Sequence, residues 1–315
     1  MIDHLKVPRE MAQSAIERVR KLGVVDNSFS IQNDAEYVLI PLISGAVPEM
    51  EYPIVKVQGR PSRRKYQPMD THGAFDVIGH IAITKIRNRE KALSLAQSLI
   101  KANRNISTVY LDTGIQGEYR IRDLELLAGT DNPVALYREN GVAMTMDVRK
   151  VYFSPRLATE RMLVSKDVRD GEEILDMFAG IGPFSLSIAR WHNCTIHAID
   201  SNPDAVYYMQ QSIQVNRLAG RVIPHNADVE VALSELKGFH RIIMNLPHDS
   251  FRYLDVALEH LRQGGILHYY EILDTEKLEE RMEELRSRNM DLLQKRVVHG
   301  YSSRESMFAL WLRKA

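Results

Sequence analysis

Cysteine is nearly missing from this chain. Cys194 is the only one in 315 residues, which excludes internal disulfides and cysteine-rich metal sites. It falls in an expected strand or its approach, as a small apolar filler. No apolar run approaches the roughly 20 residues of a membrane span. The opening segment, MIDHLKVPREMAQSAIERVRKLG, is amphipathic and carries acids, unlike a secretory signal. The expected compartment is therefore cytoplasmic. The eleven histidines are dispersed, so neither a metal cluster nor a Ser/His/Asp array stands out. Internal repeats and low-complexity tracts are missing too. With no oligomer signal, a monomer is the default expectation.

Net charge is also missing, since 41 Lys+Arg balance 41 Asp+Glu. That balance speaks against a nucleic-acid partner until its distribution is read. Between Lys56 and Arg104 lie eleven basic residues, Arg63, Arg64 and Lys65 among them, against Asp70, Asp76 and Glu90. Such a local excess is the electrostatic footprint that phosphate binding needs. A solvated face joined to a basic linker has the same composition.

What remains is ample core material: 44% hydrophobic and 26% charged residues in a length that suits two or three domains. The spacing of Ala12, Ala15, Ile16, Val19 and Leu22 predicts a helix over 1–22, stopped by Gly23. Two short strands around an Asn-Asp turn follow, then a stretch with four prolines and five basic residues that reads as a linker, with one more strand at Ile54 to Val57. The first unit is thus a small module with its linker, 1–67. A basic α+β domain over 68–150 comes next: a strand pair turning at Gly79, a helix from Arg89 to Asn103, and several strands in a mostly antiparallel sheet. From 151 to 315 strands near Ile174, Ile196, Val222, Ile242 and Ile266 alternate with helices. That alternation specifies an α/β domain with a doubly wound, Rossmann-like parallel sheet. The last two apolar runs suit a hairpin that adds one antiparallel edge strand.

The stretch EILDMFAGIGPFSLSIARWHNCTIHAID, Glu173 to Asp200, organises the last domain. It reads as strand, glycine turn, helix and strand, with Asp176 and Asp200 closing the two strands. Glycines let a ligand approach the backbone at a helix N-terminus, and an acid ending the second strand meets a ribose. The pattern Gly180-x-Gly182-x-x-Ser185 lacks the third glycine of a dinucleotide fingerprint. It fits an adenosine ligand without a pyrophosphate, and S-adenosylmethionine is the obvious candidate; a plain βα turn is the alternative. Asn226-Ala227-Asp228 ends the next strand, where a carboxylate either accepts from an adenine amine or caps a helix. Asn245-Leu246-Pro247 ends the fourth. A rigid Asn-x-Pro turn there faces the edge of a planar base, or is only a turn.

In YFSPRLATER, residues 152–161, Thr159 and Glu160 open a charged helix. The bland role for Glu160 is complementing the helix dipole. The chemical role is taking the proton from a ring nitrogen that must lose it before alkylation. Arg120 or Arg122, in GEYRIR, then stabilises charge on a neighbouring exocyclic oxygen.

Taken together, YFSPRLATER, DMFAGIGPFS, AID followed by Asn-Pro, IMNLP and GEYRIR resemble the archaeal and eukaryotic type tRNA (guanine-37-N1)-methyltransferases. The resemblance covers about residues 75–315 and, more loosely, the N-terminal module. YFSPRLATER is its most specific part, since general methyltransferases lack it. The resemblance implies methyl transfer from S-adenosylmethionine to N1 of the guanine 3′ of the anticodon, with tRNA as partner. It implies Glu160 as general base, Arg120 opposite guanine O6, and Asn245 and Pro247 shaping the base pocket. Arg161, Asp176, Phe178, Gly180, Gly182, Asp200, Ala227, Asp228 and Asn245 would surround the cofactor. The first two domains look like the family's tRNA-gripping parts. His248 departs from the pattern, standing where an aromatic or a lysine would be unsurprising. A sister family in the wyosine pathway resembles the glycine turn and either adds an aminocarboxypropyl group or methylates a tricyclic intermediate at the same nucleotide.

Overall fold

The N-terminal segment alternates before it winds. In the computed structural model, which describes residues 1–26, 28–34, 36–48, 50–61, 74–234, 236–302 and 304–315, strand β1 (Ile2–Pro8) precedes helix α1 (Ala12–Lys21). The single helix expected over 1–22 is corrected by Pro8. A proline eight residues into a helix would remove a hydrogen bond and clash with the preceding turn, whereas Leu5 and Val7, two apart, both bury. With β2 (Gln32–Asn33), β3 (Tyr37–Pro41) and β4 (Ile54–Val57), β1 makes an antiparallel sheet in the order β2-β3-β1-β4. The turn between β2 and β3 is tied by Asp34, whose Oδ1 accepts from the Glu36 and Tyr37 amides. Ala15 and Val19 of α1 pack on Leu5, Val7, Ile40 and Leu42. These residues belong to one compact unit, Met1–Thr71; the second is His72–Ala315. Arg63, Arg64 and Lys65 lie outside the described residues, as does the boundary expected at 67/68.

The second unit begins with β5 (Phe75–Ile78) and β6 (Ile81–Thr84), then α2 (Arg89–Ala102), β7 (Thr108–Gln116) and β8 (Ile121–Gly129), in the order β5-β6-β7-β8. Only β6 and β7 run parallel, because α2 carries the chain back between them. Asn88 starts α2 by accepting from the Lys91 amide, and Leu95, Ala96 and Leu99 bury against Ala82 and Val109. A hairpin of β9 (Val134–Glu139) and β10 (Val142–Asp147) forms its own two-stranded sheet. β9 is not among the expected strands. Its Val134 and Leu136 are exposed while Ala135 is buried, so apolar residues on both faces blur the alternation.

The remainder forms α3 (Ala158–Asp167), β11 (Glu173–Asp176), α4 (Pro183–Ala189), β12 (Thr195–Asp200), α5 (Pro203–Val215), β13 (Arg221–Asn226), α6 (Val229–Leu233), β14 (Phe239–Met244), α7 (Leu254–His260), β15 (Leu261–Asp274), α8 (Leu278–Ser287), β16 (Met290–Gly300) and β17 (Glu305–Lys314). The seven strands order as β13-β12-β11-β14-β15-β17-β16, parallel from β13 to β15. The expected antiparallel strand is present but not at the edge. β17 inserts between β15 and β16, antiparallel to both, and β16 forms the rim. One face buries Leu175, Ile242 and Leu267 under α6, α7 and α8; the other buries Ile174, Ile196 and Ile243 under α3, α4 and α5. Asn216, just past α5, bonds both the amide and the carbonyl of Ala143, so it docks β10 as a neighbouring strand would. Among the described residues no helix is long and apolar enough to cross a membrane.

Candidate active site

Between β11 and α4 the chain turns on Gly180 (φ 56°) and Gly182 (φ 77°), in a backbone region that side chains enter only at a cost. Gly182 caps α4, and Pro183 starts it. A Cβ on Gly182 would stand 2.8 Å from Met209 Cγ, so the glycine lets α5 pack close. At Gly180 a Cβ would meet nothing nearer than the Tyr152 carbonyl at 4.0 Å, so that side of the turn has room for a ligand. The Gly180 amide donates to Asp200 Oδ2 at 2.7 Å, and the Asn202 amide to Oδ1 at 2.9 Å. Each carboxylate oxygen keeps an acceptor position for a hydroxyl. Burial pushes the Asp200 carboxyl above its ordinary range, and the two amides pull it back.

Asp176 turns toward α4 instead. It is 1% exposed and accepts from Ser185 Oγ at 2.8 Å, pinning the first turn of α4 to β11. Burial pushes its carboxyl up to about 7; the Ser185 hydroxyl opposes the rise and the Asp200 charge adds to it. Phe178 lies edge-on to Tyr253 at 5.0 Å between centroids. Asp228 is exposed and caps α6 through the Glu230 amide, with Ala227 half-buried before it.

The Asn245-Leu246-Pro247 turn is fixed against β15 by the Ile272 amide, which donates to the Pro247 carbonyl at 2.8 Å, and is closed on itself by Ser250 Oγ, which donates to the Leu246 carbonyl. Asn245 Oδ1 is buried and has no donor among the described residues. An orphaned acceptor costs free energy until an occupant of the pocket supplies an N–H. Met244 stands opposite Tyr269, which places Asn245 next to Tyr270.

Tyr270 joins that turn to the expected base. Its hydroxyl donates to Glu160 Oε2 at 3.3 Å, and its ring packs on Phe184 of α4, 5.7 Å between centroids. Glu160 is the third residue of α3 and only 6% exposed. Arg296 of β16 donates to it from Nη2 at 2.6 Å and, at 3.4 Å, from Nε. Burial first, then the Glu160 charge, hold the Tyr270 phenol well above its ordinary range, so it stays a donor. Neither Tyr270 nor Arg296 carried a local signal in the sequence, because Arg296 reaches Glu160 only through the rim strand of the folded sheet.

The two candidate arginines of GEYRIR separate. Arg120 takes left-handed backbone (φ 54°) in the turn after β7. Burial first, then the Arg120 charge, keep the His248 imidazole below its ordinary range, so this turn lies within electrostatic reach of the one carrying Asn245. Arg122 is buried between Asp76 and Asp112 and donates to the Phe153 carbonyl. Arg161 is likewise buried. It forks onto Glu139 of β9, Nη2 to Oε2 at 2.7 Å, and bonds the Ser154 carbonyl, so it ties α3 to the hairpin rather than facing the turn.

A glycine turn, a carboxylate ending β12 and an orphaned amide ending β14, all at the carboxyl ends of parallel strands, define an adenosyl-dependent methyltransferase. The chain matches the TRM5/TYW2 methyltransferase domain over residues 135–298, the TYW2 N-terminal domain over 66–132 and the tRNA methyltransferase 5 N-terminal domain over 5–51. It is 33% identical to tRNA (guanine(37)-N(1))-methyltransferase Trm5b of Pyrococcus abyssi across 98% of both chains. It is 30% identical to tRNA 4-demethylwyosine(37)-methyltransferase Taw21 of Saccharolobus solfataricus, over 69% of this chain and 85% of that one. The structure of aTrm5 in complex with tRNALeu superposes with a TM-score of 0.70, at 27% identity over 99% of each chain. The chain belongs to the TRM5/TYW2 methyltransferase family.

Proposed function

We propose that this chain methylates N1 of guanosine-37 in tRNA, working as a cytoplasmic monomer. The observation that carries the reading is Glu160, a buried carboxylate linked through Tyr270 to the helix that follows the glycine turn and to the strand beside the Asn245 turn; the full-length likeness to a guanine-37-N1 enzyme supports it. Phe178, Gly180, Gly182, Asp200, Ala227 and Asp228 hold S-adenosylmethionine, with Asp176 and Arg161 shaping the pocket from behind. When bound, that cofactor supplies an electrophilic methyl on a sulfonium.

The rest falls to the side chains. Guanine N1 bears a proton and has no free lone pair, so Glu160 accepts that proton as the nitrogen attacks. Negative charge then grows toward O6, where Arg120 meets it. Asn245 Oδ1 accepts from an N–H of the base, and Pro247 keeps the turn rigid. The base leaves its stack to reach this pocket, since stacking hides N1. The module 1–67 and the domain 68–150 grip the tRNA, and 151–315 carries the chemistry.

Replacing Glu160 by Gln is expected to lower methyl transfer to transcript tRNA about 10²- to 10⁴-fold, with cofactor binding near normal. A variant as active as the parent would remove Glu160 from the base role. Adenine in place of guanine-37 should abolish incorporation in the same assay. A second reading is favoured by the match to the TYW2 N-terminal domain and the likeness to Taw21: action on wyosine-pathway guanines at this nucleotide. The mass of the modified nucleoside separates a methyl from an aminocarboxypropyl adduct, and tRNA carrying the tricyclic base tests the other branch.

A further inference from the structure

We infer that Arg296 and Tyr270 are positioning residues for Glu160, fixing its carboxylate so that Oε1 is the oxygen left to take the guanine proton; this rests on the base role proposed above. Three of the donors around Glu160 are accounted for. Oε2 receives Arg296 Nη2 at 2.6 Å and the Tyr270 hydroxyl at 3.3 Å, while Oε1 faces only Arg296 Nε at a long 3.4 Å. Oε2 is thereby engaged twice, and Oε1 once, by the long arm of the fork. A forked guanidinium also sets the plane of a carboxylate, which a single donor does not.

Tyr270 also packs its ring in the core, but its hydroxyl and the Arg296 guanidinium converge on Glu160. Arg296 arrives from the rim strand, 136 residues along the chain. Its guanidinium lies over the Trp311 ring, 4.8 Å from the centroid, so it too is held. Its Nη1 is buried with no acceptor among the described residues. An ion pair buried at the cost of an unpaired N–H is a poor way to stabilise a sheet rim. It is a reasonable way to keep a carboxylate in one rotamer. A misplacement near 1 Å at a reacting group costs on the order of 100-fold.

The test is single-turnover methyl transfer at saturating S-adenosylmethionine and tRNA, using the full chain. Arg296→Gln should lower the rate about 10- to 100-fold, with dissociation constants for both ligands unchanged within about twofold, and Arg296→Lys should recover part of the loss. Tyr270→Phe should lose less. In the Glu160→Gln background, adding Arg296→Gln should change nothing further, since a residue that acts through Glu160 has nothing left to position. Additive losses would mean a merely structural role and overturn the inference; so would a parental or faster rate for Arg296→Gln, the latter marking a latch on Glu160. If Arg296→Gln fails to fold, Tyr270→Phe carries the same cycle, removing a single oxygen. A parental rate for Glu160→Gln itself would instead sink the base role, an outcome distinct from the others.

Discussion

At the scale of single residues, the site separates groups that face the pocket from groups that hold it from behind. Asp176 shows the consequence. Its carboxyl is pushed up to about 7 chiefly by burial, so the folded chain binds this proton more tightly than the unfolded chain, whose carboxyl titrates near 4. The linked stability is full below about pH 4 and is lost as pH rises toward and through about 7. Asp176→Asn keeps an acceptor for Ser185 and has no charge to bury. Thermal melts without cofactor at pH 5 and pH 8 should therefore show the parent losing ground to Asp176→Asn at the higher pH. His248 and His268, both held below their ordinary range by burial first, titrate in both proteins and cancel in the comparison. A parent that gains on the variant over this window would refute the buried-acid account. The sequence made Asp176 visible as a strand-end acid but not which way it points. That depends on Ser185 in the first turn of α4, where the same position also marks the missing third glycine.

At the scale of elements, much was legible because patterns with different periods rarely coincide. The βαβ unit from β11 to β12 stood out through its apolar strand, two glycines and terminal acid. The failures are equally physical. The helix expected over 1–22 overlooked Pro8, and β9 carries apolar residues on both faces. The position of β17 inside the sheet is a matter of long-range pairing, which hairpin spacing alone does not decide. The two glycines before α4 allow a controlled comparison. Alanine at either takes on about 1–2 kcal/mol of left-handed strain, so both variants should melt several degrees lower. They should differ in ligand binding. At Gly182 the new methyl meets the flexible Met209 side chain, which can shift; at Gly180 it projects into the open side of the turn. Calorimetric titration with S-adenosylmethionine should find Gly180→Ala the weaker binder by a clear margin. Equal losses would mean that the cofactor does not lie against Gly180.

At the scale of the whole molecule, zero net charge conceals an uneven surface. Of the basic residues between Lys56 and Arg104, those described are all exposed, but they are not equivalent. Arg89 is forked onto Glu125 and Lys85 stands 3.6 Å from Asp112; Arg87 and Lys91 flank the start of α2 with no ion pair among the described residues. Cations already paired within the protein have less charge to offer a phosphate, so the unpaired ones should dominate the salt dependence of tRNA binding. Each phosphate neutralised contributes roughly 0.7–0.9 to the slope of log affinity against log salt. Replacing Arg87 and Lys91 together by alanine should weaken tRNA binding and reduce that slope by about one to two, while S-adenosylmethionine affinity stays at the parental value. Arg89→Ala should move the slope less, because it also frees Glu125. Filter binding of transcript tRNA across a salt series measures both. A slope unchanged by the double replacement would show that Arg87 and Lys91 do not grip phosphate, and the start of α2 would then be only a solvated face.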